Sequence, residues 1–134
     1  MTLCISLRNG EKMIVNGAVV RASGRVDLVI ENRVSILRGR EVMSPVEANT
    51  PARQLYLACM MAYVDEADRT RHQDRVVAML GDLMEAFESD AAKRACVEFA
   101  RLAALGDYYR ALGACRTIID LEAEALGRLA EQAA

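Results

Sequence analysis

Four cysteines and a single histidine are the side chains of this chain best suited to metal binding or nucleophilic catalysis. The cysteines stand at positions 4, 59, 96 and 115, and no two of them have the Cys-x-x-Cys spacing of a zinc site. Cys59, Cys96 and Cys115 lie in apolar helical patterns, where free cysteine usually acts as a small buried hydrophobe. His72 lies among charged residues and is predicted to face solvent. The sequence therefore predicts no enzyme, no metal and no cofactor.

Anion binding is the second chemistry that the residue types allow. Residues 1–43 carry seven cationic and four acidic side chains, a net charge of +3, whereas residues 44–134 carry a net charge of −5. Clustered cations can neutralise nucleic-acid phosphates, and arginine can also grip phosphate bidentately. An ordinary solvated basic face is the alternative. The candidate RNA-binding residues are Lys12, Arg21, Arg25, Arg33, Arg38 and Arg40.

A hairpin positions the first two of these cations. Asn16-Gly17 lies between two β-rich runs, which is the strongest local hairpin signal, and a two-residue turn there fixes the register. Lys12 then faces Arg21, and the two cations repel each other unless an anion lies near. That anion is either an RNA phosphate or a carboxylate from the acidic helices of the chain.

Short alternating runs predict the remaining strands. They begin at Leu3, at Val26 and at Val34, and turns rich in Asn, Gly and Ser separate them. Residues 1–43 therefore predict a small antiparallel meander or a partly closed barrel. Because this segment contains no Phe, Tyr or Trp, RNA recognition by stacking on sheet aromatics is excluded there.

Residues 50–134 predict a bundle of about four helices. Thr50-Pro51 marks the start of an apolar helix over 52–64, and further helices are expected at about 74–88, at 90–105 and from Asp107 onward. The fold class is thus α+β, with a basic β-rich part and an acidic helical part that are expected to pack together as one unit. No apolar run reaches the length of a bilayer span, and no signal peptide is evident, so the protein is expected in the cytosol.

Aromatic residues of the helical part offer a protein-binding alternative. The helix over 52–64 is apolar nearly all round, which fits either a core helix or a partner-binding face. Residues 105–112 resemble the turn inside a tetratricopeptide helical hairpin, and a single hairpin of this kind either binds a peptide or simply packs. The candidate protein-binding residues are Tyr56, Met60, Tyr63, Tyr108 and Tyr109.

Several separate motifs together resemble one family. Residues 7–19 read LRNGEKMIVNGAV, residues 37–39 read LRG, residues 50–56 read TPARQLY and residues 106–112 read GDYYRAL. In this order they resemble the FlbT family of bacterial flagellar regulators. The resemblance implies a post-transcriptional regulator of flagellin synthesis that acts on the 5′ untranslated region of flagellin mRNA and promotes its decay, with an activating effect in some relatives. It also implies work alongside a second small regulator, FlaF.

Two functional hypotheses follow. In the first, the basic β part binds the flagellin mRNA leader directly. In the second, the helices hold flagellin or FlaF, and the effect on the mRNA is indirect. Exposed sheet edges leave a homodimer open as well.

Overall fold

The computed structural model describes residues 2–133, in which five strands precede four α-helices. The predicted α+β class is confirmed. The strands are β1 (Leu3–Leu7), β2 (Lys12–Val15), β3 (Ala18–Arg21), β4 (Val26–Ile30) and β5 (Ile36–Arg38), followed by a single 3-10 turn (Gly39–Glu41). The helices are α1 (Pro51–Val64), α2 (Arg69–Ala86), α3 (Asp90–Ala104) and α4 (Tyr108–Ala133).

The hairpin of β2 and β3 has the predicted register. Asn16 and Gly17 have φ angles of 49° and 88°, the two positive values that a type I′ turn requires. Lys12 lies opposite Arg21, and Val15 lies opposite Ala18. Because side chains alternate along a strand, this pairing fixes which residues share each face of the sheet.

The strand order departs from a sequential meander. β4 pairs with β1 in one small sheet, and β3, β2 and β5 form another in that order, with all pairs antiparallel. The apolar faces of the two sheets share a core around Ile5, Leu7, Met13 and Ala22. Five such short strands bury more apolar surface as two facing layers than as one flat ribbon.

The chain divides into two compact units. The β unit comprises residues up to Val42 together with Val64–Ala67, and the helical unit comprises Met43–Tyr63 and the residues from Asp68 onward. Within the helical unit, α3 packs against α4 and against α2. The largest fully buried side chains of this unit include Tyr56, Phe99, Leu55 and Ile118.

Capping residues lie at several helix ends, including the predicted cap at Thr50. The Thr50 hydroxyl accepts a hydrogen bond from the Arg53 N–H at 3.2 Å, and the Ser89 hydroxyl accepts one from the Ala92 N–H at 3.1 Å. Gly106, with φ of 77°, follows α3 in the left-handed conformation that commonly ends a helix.

The second helix starts earlier than the sequence pattern predicts, and this corrects the expectation for His72. α2 begins at Arg69 rather than near residue 74, so the segment interpreted as a charged connection contains its first turn. His72 then shares a helix face with Val76, Leu80 and Leu83, and its side chain is only 4% exposed. The prediction of a solvent-facing histidine was wrong because it assigned His72 to a loop.

Within residues 2–133, no helix combines the length and the apolar character needed to cross a bilayer.

Candidate nucleic-acid interface

Lys12 and Arg21 form a pair of neighbouring cations on the hairpin. They are directly opposite each other on β2 and β3, and both are exposed. Neither forms an ion pair with any residue from 2 to 133. Like charges opposite each other destabilise a sheet slightly, and an anion placed beside both cations would relieve this repulsion.

The other predicted cations are less concentrated. Arg25 lies in the turn before β4, Arg33 lies between β4 and β5, and Arg40 lies in the 3-10 turn; all three are exposed. Arg38 has a structural role, since its guanidinium donates to the Ser6 carbonyl oxygen at 3.2 Å and lies 3.7 Å from the Glu11 carboxylate. The structure therefore brings Lys12 and Arg21 together and draws Arg38 into contacts within the β unit.

A groove adjoins the Lys12 side chain. Alternation places Ile14 and Val19 on the same sheet face as Lys12 and Arg21, and Val19 is 68% exposed. The groove has a volume of about 390 Å³ and is lined by Glu11, Lys12, Met13, Ile14, Val19, Gly39 and Val42. The sequence analysis did not find this groove, because the pairing of β5 with β2 was not predicted.

The β3 strand forms one edge of its three-stranded sheet, and β5 forms the other. All four residues of β3 are exposed, including Val19 and Val20. In this hairpin register the N–H and C=O groups of Val19 and Arg21 point away from β2. The edge thus offers backbone donors and acceptors beside the two cations.

The five candidate protein-binding residues separate into buried and accessible groups. Tyr56 and Met60 are 1% and 5% exposed, because α1 is enclosed by apolar packing on several sides, which corrects their expected place on a binding face. The Arg116 guanidinium lies 4.9 Å from the centre of the Tyr56 ring and donates to its hydroxyl at 3.0 Å. Tyr108 is also buried.

Tyr63 and Tyr109 retain surface area. Their ring centres are 5.9 Å apart, and Tyr109 is 47% exposed. Arg69 donates from Nε to the Ala62 carbonyl oxygen at 2.8 Å, and its guanidinium lies 6.0 Å from the Tyr108 ring centre. This cluster connects the end of α1 to α2 and α4, and the Tyr109 side chain remains partly exposed.

A buried carboxylate in the helical unit was missed by the sequence reasoning. Glu122 is 6% exposed, and its Oε2 accepts a hydrogen bond from the Ala52 N–H at 2.8 Å. This bond satisfies one of the backbone donors that the first turn of α1 leaves unpaired. A glutamate on the apolar stripe of α4 is the signal that could have revealed it.

The cysteine prediction is confirmed for the three helical positions. Cys59, Cys96 and Cys115 are fully buried, whereas Cys4 is exposed. Burial raises the pKa of the Cys59 thiol to about 12 and also raises the pKa values of Cys96 and Cys115. Such thiols stay protonated and act as packing groups.

Comparison with known proteins places the chain in a family. The family model described as "Flagellar protein FlbT" matches residues 3–126. The flagellum biosynthesis repressor protein FlbT of Caulobacter vibrioides strain CB 15 is 34% identical over 96% of this chain and 92% of its own length. A probable flagellum biosynthesis repressor FlbT of Chelativorans sp. is 38% identical over 98% of this chain and 92% of its own length.

A similar protein from Caulobacter sp. strain K31, also named as a probable flagellum biosynthesis repressor FlbT, is 35% identical over 96% of this chain and 99% of its own length. No solved structure matches the chain. The similarity spans both the β unit and the helical unit, and the chain belongs to the FlbT family.

Proposed function

We propose that this protein represses flagellum biosynthesis by binding the 5′ untranslated region of flagellin mRNA in the cytosol and promoting its degradation. The names of its relatives support the repressor role. The observation that carries the RNA-binding step is the Lys12–Arg21 pair, which is exposed and forms no ion pair within the described chain.

Electrostatics favours a phosphate ligand at this pair. A bound phosphate removes the cross-strand repulsion and releases counterions into solution, which is the main source of affinity for many nucleic-acid-binding proteins. Arg25 and Arg33 are exposed on neighbouring turns of the β unit and can extend the contact along an RNA backbone.

A salt series with charge-matched variants tests direct RNA binding. The double variant Lys12→Ala, Arg21→Ala is compared with Lys93→Ala, Arg94→Ala, which removes the same charge from exposed positions on α3. Binding to a flagellin leader RNA is measured at several salt concentrations. The first variant should bind more weakly, with the salt slope reduced by about 1 for each lost phosphate contact, and the second should change little.

The stability of the double variant shows whether it is still folded in this test. Both hairpin cations are exposed, so their replacement should alter the free energy of unfolding by less than about 0.5 kcal/mol. A folded double variant that binds the leader RNA with full affinity would contradict the proposal.

The accessible Tyr63–Tyr109 pair supports a second candidate function, in which the helical unit holds flagellin or FlaF. Exposed aromatic side chains are enriched among residues that dominate protein interfaces. The test is copurification of Tyr109→Ser with flagellin or FlaF, compared with Leu105→Ser, a nearby residue that is 70% exposed. Loss of flagellin or FlaF by Tyr109→Ser but not by Leu105→Ser would support this candidate. Unchanged copurification of the partner with Tyr109→Ser would contradict it.

A further inference from the structure

We propose that the groove beside Lys12 receives one unpaired nucleobase of an RNA strand whose phosphates contact Lys12 and Arg21. This inference rests on the proposed RNA-binding function and deepens it, because it assigns a base-binding site and predicts a preference for single-stranded RNA. It concerns the groove already described, which is bounded by β2, β3 and the segment after β5.

Most of the side chains that line the groove are apolar. Ile14 is 9% exposed and forms the inner part, whereas Val19 is 68% exposed and forms the outer wall on β3. Gly39 also lines the groove and adds no side chain to it. We therefore expect room for a planar ring beside Val19.

The charges around the groove match a nucleotide. Lys12 lines the groove, and Arg21 lies directly across the hairpin on the same face, so an apolar surface adjoins two cations. The one acidic residue of the lining, Glu11, is already engaged, since its Oε1 accepts from the Arg8 N–H at 3.0 Å and its Oε2 lies 3.7 Å from the Arg38 guanidinium. A base flanked by phosphates presents the complementary arrangement of a flat ring beside anions.

The small volume of the groove favours a single unstacked base over a stacked base pair. Its volume of about 390 Å³ is at the small end of ligand pockets. In duplex RNA the rings are stacked inside the helix, whereas single-stranded loops and ends can splay a base into a protein pocket. The Arg21 guanidinium can in addition stack on the exposed ring face, a contact that does not require an aromatic side chain.

Variants of two exposed valines can test the base contact separately from the phosphate contact. Val19→Ser removes the outer wall, and Val29→Ser, on β4 of the same unit, is the matched control because Val29 is 58% exposed and does not line the groove. Binding is measured for a flagellin leader RNA in single-stranded form, for the same RNA annealed to its complement, and for inorganic polyphosphate, which carries phosphates but no bases.

Val19→Ser should bind the single-stranded RNA about fivefold more weakly, with polyphosphate binding unchanged. Val29→Ser should leave both affinities unchanged, and the annealed RNA should bind the unmodified protein more weakly than the single strand. The double variant Lys12→Ala, Arg21→Ala should weaken binding of RNA and of polyphosphate alike.

Three results would overturn the inference in distinguishable ways. If Val19→Ser matches Val29→Ser while the double cation variant still weakens RNA binding, the groove holds no base and the proposed function survives. If the double variant also binds RNA normally, the proposed function itself fails. If polyglutamate competes as strongly as the RNA, and Val19→Ser weakens its binding equally, the groove accepts an acidic peptide instead.

Discussion

In the helical unit, Glu122 and Arg69 are hydrogen-bonded to backbone groups of α1, whereas in the β unit Lys12 and Arg21 are exposed on the hairpin without ion-pair partners in the described chain. Burial explains this difference. A polar group inside a packed helical core must find an internal partner, because an unsatisfied one costs about 1–3 kcal/mol. Cations on an edge hairpin are solvated and need none, which leaves them available for a ligand.

The contrast extends to the cysteines. The helical unit encloses three thiols as packing groups, and the β unit exposes the fourth on β1. The helical unit thus buries its three thiols, and the β unit exposes its one thiol. Four predictions test this contrast, in order of decreasing expected effect.

The largest effect is expected for thiol reactivity. Burial raises the pKa of Cys59 from 9.0 to about 12, so its thiolate fraction near pH 8 falls by about a thousandfold relative to an unperturbed thiol. Labelling with a disulfide reagent followed by mass spectrometry should modify Cys4 in the native protein and all four cysteines in denaturant. The variant Cys4→Ser should abolish native labelling, and rapid native labelling of Cys59 would contradict the prediction.

The raised pKa of the Cys59 thiol also makes the free energy of unfolding depend on pH. A thiol whose pKa is raised on folding stabilises the folded state fully below the unfolded pKa, and that contribution is lost as the pH rises through the folded pKa. The free energy of unfolding should therefore decrease between about pH 9 and pH 12. Cys59→Ala should show a shallower decrease in urea unfolding experiments over the accessible part of this range.

The next effect concerns the buried carboxylate. Glu122→Ala leaves the Ala52 N–H without its acceptor and opens a cavity, so we expect a loss of about 3 kcal/mol in the free energy of unfolding. Glu122→Gln keeps an acceptor of the same shape and should lose about 1 kcal/mol. Urea unfolding followed by circular dichroism measures both, with the exposed Glu124→Ala as control. If Glu122→Ala and Glu124→Ala have the same free energy of unfolding, Glu122 does not stabilise the helical unit.

The smallest effect concerns the hairpin turn of the β unit. Gly17→Ala forces an alanine into φ of 88° and places its Cβ 3.0 Å from the Val64 carbonyl oxygen, for an expected loss of about 2 kcal/mol. Gly10→Ala is the matched control, because Gly10 has a similar φ of 82° and no atom lies within 4 Å of the added Cβ. It should lose about 1 kcal/mol. Equal losses for the two variants would show that the Val64 contact has no energetic role.

The sequence predicts best those features that depend on neighbouring residues. Asn16-Gly17 set the hairpin register, and Thr50 marked the start of α1, because each acts through its own backbone angles or through a bond to a residue three positions away. The start of α2 was not predicted. A charged segment can be helical when a single face of it is buried, and only packing shows which face that is.

The features of the candidate site were likewise predictable from the sequence only where they depend on neighbouring residues. The opposition of Lys12 and Arg21 could be predicted, because it follows from the turn and from strand alternation. The groove could not, because Gly39 and Val42 reach it only through the pairing of β5 with β2. The structural roles of Arg38 and Glu122 likewise depend on contacts with residues 32 and 70 positions away in the chain.

The sequence by itself determined the α+β class, the hairpin that opposes two cations and the motifs that resemble the FlbT family. These features follow from local backbone preferences and from residue order. Only the tertiary structure decided that β4 pairs with β1, that His72 and Tyr56 are buried, and that a largely apolar groove adjoins Lys12. Those features depend on which apolar faces, distant in the sequence, pack against each other. Side-chain packing across the whole fold stabilises one arrangement over the others, and no short segment does so alone.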